Sequence, residues 1–212
     1  MTTRVALYGG SFNPVHHGHL IIARSIAEAL DIDQVVLLPS HAPPHKLAQG
    51  LAKTEHRMAM VRLAVTNDPL FSVSDHDATC VGPSYTVKTI EHFKSALPDD
   101  AEIVWIVGAD SLLELHTWYQ VAKLVANCRI VTANRPGSAI GSLDALEAMI
   151  GKEATRRLLD DVIDTPHIDI SSTQIRNRVK ENRSIRYFVP SNVEEYIRQH
   201  GLYAAGQTTG TS

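Results

Sequence analysis

The feature that most narrows the fold is a rhythm of short β-branched runs separated by helix-length segments. Residues 4–8, 34–38 (QVVLL), 71–74, 102–107 (EIVWIV) and 129–133 read as strands. Between them, 20–30, 54–65, 84–97 and 118–125 carry apolar residues at helical spacing. Thr54 stands as the N-cap of the second helix, and Pro98 stops the third. Strands that alternate with helices must each be reached by a crossover. That requirement predicts a mainly parallel sheet with right-handed connections. The nearly unbroken apolar run at 102–107 implies a strand buried on both faces. The expected class is therefore α/β, Rossmann-like and doubly wound, with helices on both faces of the sheet.

After Ala133 the rhythm changes. The stretch NRPGS at 134–138 is rich in turn residues, 143–159 is helical, and 161–170 offers one or two short extended segments. A basic helix follows at 172–180, and a last helix at 193–200 is stopped by Gly201, giving a small C-terminal helical segment. No internal repeat or composition break divides the chain. One domain is expected over 1–203, with 204–212 a flexible tail.

Composition serves mainly to exclude. With 44% hydrophobic and 20% charged residues the chain is no disordered segment. A net charge of -3 disfavours extended contact with nucleic acid. Two cysteines, Cys80 and Cys128, form no CxxC pair and suit a reducing compartment. No apolar run reaches the ~20 residues that a membrane span needs. The start of the chain lacks the apolar core of a signal peptide. The expectation is a soluble, cytoplasmic protein without a membrane or nucleic-acid partner.

The turn after the first strand reads GGSFNPVHHGH, residues 9–19. In an open parallel sheet, ligands bind beyond the carboxyl ends of the strands, where this turn lies. Gly9, Gly10 and Gly18 let backbone approach a ligand, and a helix start presents free N–H groups to an anion. His16 and His19 are placed to donate to phosphate oxygens and to neutralise charge in a transition state. Histidines also serve as surface caps, but three of them beside three glycines favour a phosphate grip. HxxH spacing can chelate zinc, yet the catalytic Glu of HExxH and a third ligand are missing, so metal binding ranks lower. The dinucleotide GxGxxG and the P-loop GxxxxGK[ST] patterns are absent.

Near the other end stands DISSTQIR, residues 169–176. Two serines and a threonine at a helix start can simply cap it. The same hydroxyls and N–H groups, with Arg176 one turn inside, also make a second anion site. Arg178, Lys180, Arg183 and Arg186 read as a solvated face.

Together, GGSFNPVHHGH and ISSTQIR resemble the nucleotidyltransferase superfamily marked by an early HxGH and a late SSTxIR. Within it the chain is similar to the bacterial nicotinate-mononucleotide adenylyltransferases, from Tyr8 to Tyr203. Pro43-Pro44-His45-Lys46, Pro83-Ser84-Tyr85-Thr86, Gly108-Ala109-Asp110-Ser111, Thr117-Trp118-Tyr119 and Tyr187-Phe188-Val189-Pro190 carry the narrower likeness. One departure is Asn13, where the family often has Asp; any charge effect there is lost.

The resemblance implies transfer of the adenylyl group of ATP to nicotinate mononucleotide, with Mg2+ carried by ATP and no dedicated protein metal site. Gly9, Gly10, Ser11, Phe12, His16, Gly18 and His19 would hold the triphosphate, and Ser171, Ser172, Thr173 and Arg176 would meet it from the other side. His16, His19 and Arg176 would be the catalytic set. Gly108 and Asp110 would face the adenosine, with Asp110 also an N-cap for a helix starting at Ser111. His45 and Lys46 would reach the mononucleotide phosphate. Trp118 would stack on the pyridine ring, while backbone around Tyr85, Thr86 and Tyr119 would receive its carboxylate. A sister transferase, a non-catalytic nucleotide binder and a zinc hydrolase are the competing readings.

Overall fold

The computed structural model describes residues 2–41, 51–80 and 82–205. Among them six strands form one sheet: β1 (Arg4–Gly10), β2 (Gln34–Pro39), β3 (Phe71–Val73), β4 (Glu102–Gly108), β5 (Arg129–Asn134) and β6 (Val162–Asp164). Their order is β3-β2-β1-β4-β5-β6. Pairing is parallel, with Arg4 opposite Glu102, Val104 opposite Arg129 and Thr132 opposite Val162. The chain steps outward from β1 to β3, then returns to the other side of β1 with β4. This reversal is the switch point at which open α/β sheets place their ligands. The β4 residues Ile103 through Val107 are all buried, as their unbroken apolar run demands.

The helices are α1 (His17–Ala29), α2 (Thr54–Val65), α3 (His76–Thr79), α4 (Thr86–Ala96), α5 (Ala109–Leu113), α6 (Val121–Asn127), α7 (Asp144–Ile150), α8 (Lys152–Asp160), α9 (Ser172–Lys180) and α10 (Ser191–Gln199). A 3-10 turn, Leu115–Thr117, precedes α6. Several sequence expectations are corrected. α1 begins three residues before 20, because His17, Gly18 and His19 carry no apolar signal. The helix expected over 118–125 starts only at Val121: Trp118 is extended, with φ -76 and ψ 142, and Gln120 is left-handed. The stretch 143–159 is two helices, separated at Gly151 with φ 83. Thr54 is not the N-cap of α2. Lys53 holds that position without a side-chain bond, and the Thr54 hydroxyl accepts from Arg57 instead. α3 and α5, of four and five residues, are too short for periodicity to reveal.

Two compact units can be distinguished. Unit 1 takes the described residues within Met1–Gly9, Ile22–Val36 and Tyr85–His167; unit 2 takes those within Gly10–Ile21, Leu37–Ser84 and Ile168–Ser212. Unit 1 buries Leu7, Ile26, Val104, Ile106, Leu124 and Val131, with α4 packed on α6. At the amino ends of its strands, Glu102 bridges Arg4 and Arg129, both at 3.1 Å, and Arg129 forks onto Asp161 at 2.7 Å. Unit 2 buries Phe12, Val15, Leu37, Met60, Ile175 and Val193, with α10 packed on α2. Residues 206–212 of the expected tail lie outside the described residues. No helix among the described residues is long and apolar enough to cross a membrane.

Candidate active site

The two motifs that stand at opposite ends of the sequence meet inside unit 2. Arg176 reaches from α9 and donates from Nη1 to the Asn13 carbonyl at 2.8 Å. One residue on, the Ser172 hydroxyl donates to the Pro14 carbonyl at 2.8 Å. The α1 start is tied in as well, since the His17 amide donates to the Phe188 carbonyl at 3.0 Å. Contacts across 158 and 163 residues thus hold the histidine turn against the start of α9.

The hydroxyls of the late motif divide their work. Ser171 caps α9, its oxygen accepting from the Gln174 amide at 3.1 Å, as the capping reading expects. Ser172 binds the early motif. Thr173 accepts from Arg176 Nη2 at 3.1 Å and so steadies the guanidinium one turn further on. Ser171 and Thr173 stay exposed at the helix mouth, where free N–H groups favour an anion.

The glycines also make room within the protein. A Cβ on Gly9 would lie 2.8 Å from the Trp105 ring, and one on Gly10 3.2 Å from the Phe12 ring. At Gly18 it would lie 3.0 Å from Nδ1 of His16. These positions make room for neighbouring side chains, and in the last case for the imidazole itself. Phe12 is buried and left-handed, with φ 43.

His16 and His19 stack, with centroids 3.7 Å apart, and Phe12 meets His19 edge-on at 5.0 Å. The His16 amide donates to Nδ1 of His19 at 3.2 Å. A ring that accepts at Nδ1 carries its proton on Nε2, which makes that nitrogen a donor. His16 is 6% exposed and its Nδ1 is buried with no hydrogen-bond partner. Burial, helped by His17, pulls its pKa from 6.5 down to about 4. His16 is therefore neutral near pH 7 in the free protein, and the resident positive charge belongs to arginine.

Asn13 is a buried junction. Its Oδ1 accepts from the Ala52 amide at 3.1 Å and from the Tyr203 hydroxyl at 2.8 Å, while its backbone carbonyl takes Arg176. Burial raises the pKa of the Tyr203 phenol, which keeps it a donor. An amide oxygen fills this place without adding a negative charge beside Arg176.

Unit 1 holds a second group of sequence-predicted residues. Gly108 and Asp110 sit at the carboxyl end of β4 and are exposed. Gly108, not Asp110, is the N-cap residue of α5, and no side-chain cap bond forms there. Tyr85 and Tyr119 lie ring on ring at 4.5 Å, with Lys88 Nζ 5.6 Å from the Tyr85 centroid. Trp118 is half-buried beside them in sequence, on extended backbone. Thr86 opens α4. His45 and Lys46 lie outside the described residues.

Comparison with known proteins fits this geometry. The model of the family described as "Cytidylyltransferase-like" matches residues 7–178, which include both motifs. The chain belongs to that family. Among family relatives, a protein of Synechococcus sp. (strain JA-3-3Ab) named "Probable nicotinate-nucleotide adenylyltransferase" is 40% identical over 201 residues, covering 94% of each chain. One of the same name from Moorella thermoacetica is 38% identical, covering 94% of this chain and 91% of its own. The fold is similar to that of the Plasmodium falciparum nicotinic acid mononucleotide adenylyltransferase complexed with NaAD. That likeness has a TM-score of 0.71 at 16% identity, over 95% of this chain and 97% of that one.

Two members of the cluster escaped the reading of motifs. Tyr203 lies in the last turn and carries no pattern. Arg57 carries one, since it falls on the 57-61-65 row of α2, whose other members Val61 and Val65 are buried. A lone arginine on an apolar row is a signal of buried hydrogen bonding.

Proposed function

We propose that this family member transfers the adenylyl group of ATP to nicotinate mononucleotide, forming nicotinate adenine dinucleotide and pyrophosphate in NAD biosynthesis. The observation that carries this reading is the junction of the two motifs through Arg176–Asn13 and Ser172–Pro14. It brings imidazole, guanidinium and a helix mouth together on one unit, as a polyphosphate requires.

In this reading the backbone of Gly9, Gly10, Ser11 and Phe12 lines the triphosphate, with Gly18 seating the His16 ring. His19 donates through Nε2, and Arg176 neutralises the β- and γ-phosphates with Ser171, Ser172 and Thr173. ATP enters with its Mg2+ as the substrate. Gly108 and Asp110 receive the adenosine, the carboxylate accepting from ribose hydroxyls. On the acceptor side Trp118 packs on the pyridine ring, and backbone at Tyr85, Thr86 and Tyr119 takes its carboxylate. His45 and Lys46 are assigned to the mononucleotide phosphate.

A phosphate oxygen of the mononucleotide attacks the α-phosphorus in line. The bond from that phosphorus to the bridging oxygen breaks, and the electron pair leaves with pyrophosphate. The nucleophile is already ionised, so no general base is needed. Rate comes from positioning and from charge placed around the phosphates. A neutral His16 starts as a hydrogen-bonding partner; a nearby polyanion would favour its protonated form as charge builds.

The test is pyrophosphate release with ATP and each candidate acceptor in turn. Release with nicotinate mononucleotide well above that with nicotinamide mononucleotide or phosphopantetheine is expected. Preference for another acceptor, or for CTP as donor, would transfer the protein to a sister activity.

A further inference from the structure

We infer that Arg57, outside both motifs, is a positioning residue that sets the phosphate-gripping turn; the inference rests on the polyphosphate reading above. Its side chain is 0% exposed. It donates from Nη1 to the Ser11 carbonyl at 2.8 Å, from Nε to the Ala52 carbonyl at 3.0 Å, and from Nη2 to the His41 carbonyl at 3.1 Å. A fourth bond runs from Nη2 to the Thr54 hydroxyl at 3.0 Å. Among the described residues no carboxylate pairs with it.

The carbonyl taken by Nη1 belongs to the peptide joining Ser11 to Phe12. In a trans peptide the C=O and N–H point in opposite directions. Holding the Ser11 oxygen inward therefore aims the Phe12 N–H the other way. The preceding peptide is fixed likewise, because the Gly10 carbonyl accepts from the Ser40 amide at 3.0 Å and the Ser40 hydroxyl at 3.4 Å. Two successive amide directions are thus set from inside the protein, and left-handed Phe12 follows. Concave rows of backbone N–H groups use this left-handed geometry to hold anions.

A guanidinium is the side chain this task calls for. Its planar fork reaches three carbonyls and a hydroxyl at once, whereas an ammonium is a point charge that cannot span them. A burying helix with no ligand to serve would be better filled by an apolar residue at this position. The oxygens that the fork binds are all neutral.

The experiment compares wild type with Arg57→Lys and Thr54→Val, the latter removing the hydroxyl that steadies Nη2 at 3.0 Å and also faces Nδ1 of His41 at 3.5 Å. Thermal midpoint, the KM for ATP, the KM for nicotinate mononucleotide and the Kd for inorganic tripolyphosphate are measured on folded protein. Arg57→Lys should raise the ATP KM and the tripolyphosphate Kd about tenfold or more, with the mononucleotide KM changed by less than about threefold. Thr54→Val should move the same two constants about threefold in the same direction, and it stands as the deciding variant should Arg57→Lys fail to fold. A lowered midpoint with unchanged ATP and tripolyphosphate constants would make Arg57 a structural brace only and overturn the inference. His19→Ala and Arg176→Ala run alongside. If they too leave tripolyphosphate binding intact, the polyphosphate reading itself fails; if they abolish it while Thr54→Val does nothing, only the role of Arg57 falls.

Discussion

Two pairs of arginines, one in each unit, are treated in opposite ways. In unit 1, Arg4 and Arg129 lie at the amino ends of β1 and β4's neighbour β5, and each is matched to carboxylates, Glu102 and Asp161. In unit 2, Arg57 and Arg176 are bonded to carbonyls and hydroxyls, and among the described residues neither forms an ion pair with a carboxylate. Matched charges fasten strands and leave little field outside. Guanidiniums bonded to neutral oxygens are held in place while keeping their charge for an anion still to arrive. The same residue type thus does structural work in one unit and preorganised electrostatic work in the other.

The widest test of that contrast pairs Arg176→Ala with Arg129→Met. Arg176→Ala should lower kcat/KM for adenylyl transfer by roughly 100- to 1000-fold, the range for losing one preorganised donor to a transition state. Arg129→Met should leave kcat/KM within about twofold while costing about 1 kcal/mol of stability, since its pairs are part-solvated. Steady-state pyrophosphate release and urea melts give both numbers. Comparable kinetic losses in the two variants would erase the distinction.

Next in size is an effect of pH. His16 is held at about 4 against 6.5 for a free imidazole. Below pH 6.5 the unfolded chain takes up a proton that the folded one refuses, so acid favours unfolding. The contribution is complete above about pH 6.5 and is lost as pH falls toward about 4. The full loss is roughly 3 kcal/mol. Wild type should therefore lose stability on acidification more steeply than His16→Asn. Parallel curves would mean that burial does not lower the His16 pKa, and that the folded ring takes up its proton near pH 6.5 as a free imidazole does.

The sheet was legible because parallel strands buried on both faces write themselves as unbroken apolar runs. EIVWIV became β4 almost residue for residue, and the run STQIRNRVK became α9 with Ser171 as its cap. The two motifs were legible as chemistry, and their meeting was expected from the family resemblance alone. Nothing local to Asn13 or Arg176 announces a bond across 163 residues. The packing role of the glycines was not legible, since a close neighbour is invisible in sequence: Gly9 yields to Trp105 and Gly18 to His16. Local propensity also failed around Trp118, where a 3-10 turn and left-handed Gln120 interrupt what reads as one helix. A ring pair such as Tyr85 and Tyr119, tilted by 33°, is not disclosed by spacing alone.

The smallest expected effect asks what unit 1 contributes to recognition if Arg4 and Arg129 are spent on its strands. The answer suggested by Trp118, Tyr85 and Tyr119 is contact with a flat ring. Trp118→Ala should weaken nicotinate mononucleotide by ~1 kcal/mol, about fivefold in KM, and leave the KM for ATP nearly unchanged. Because stacking carries little charge, this loss should also vary little with added salt, whereas the ATP KM should rise with salt as the unit 2 cations are screened. Equal effects of Trp118→Ala on both substrates would point to a disturbed fold and not to a lost ring contact. A mononucleotide KM as salt-sensitive as that for ATP would show that its phosphate, and not its ring, dominates acceptor binding, and the division between the units would have to be redrawn on that basis.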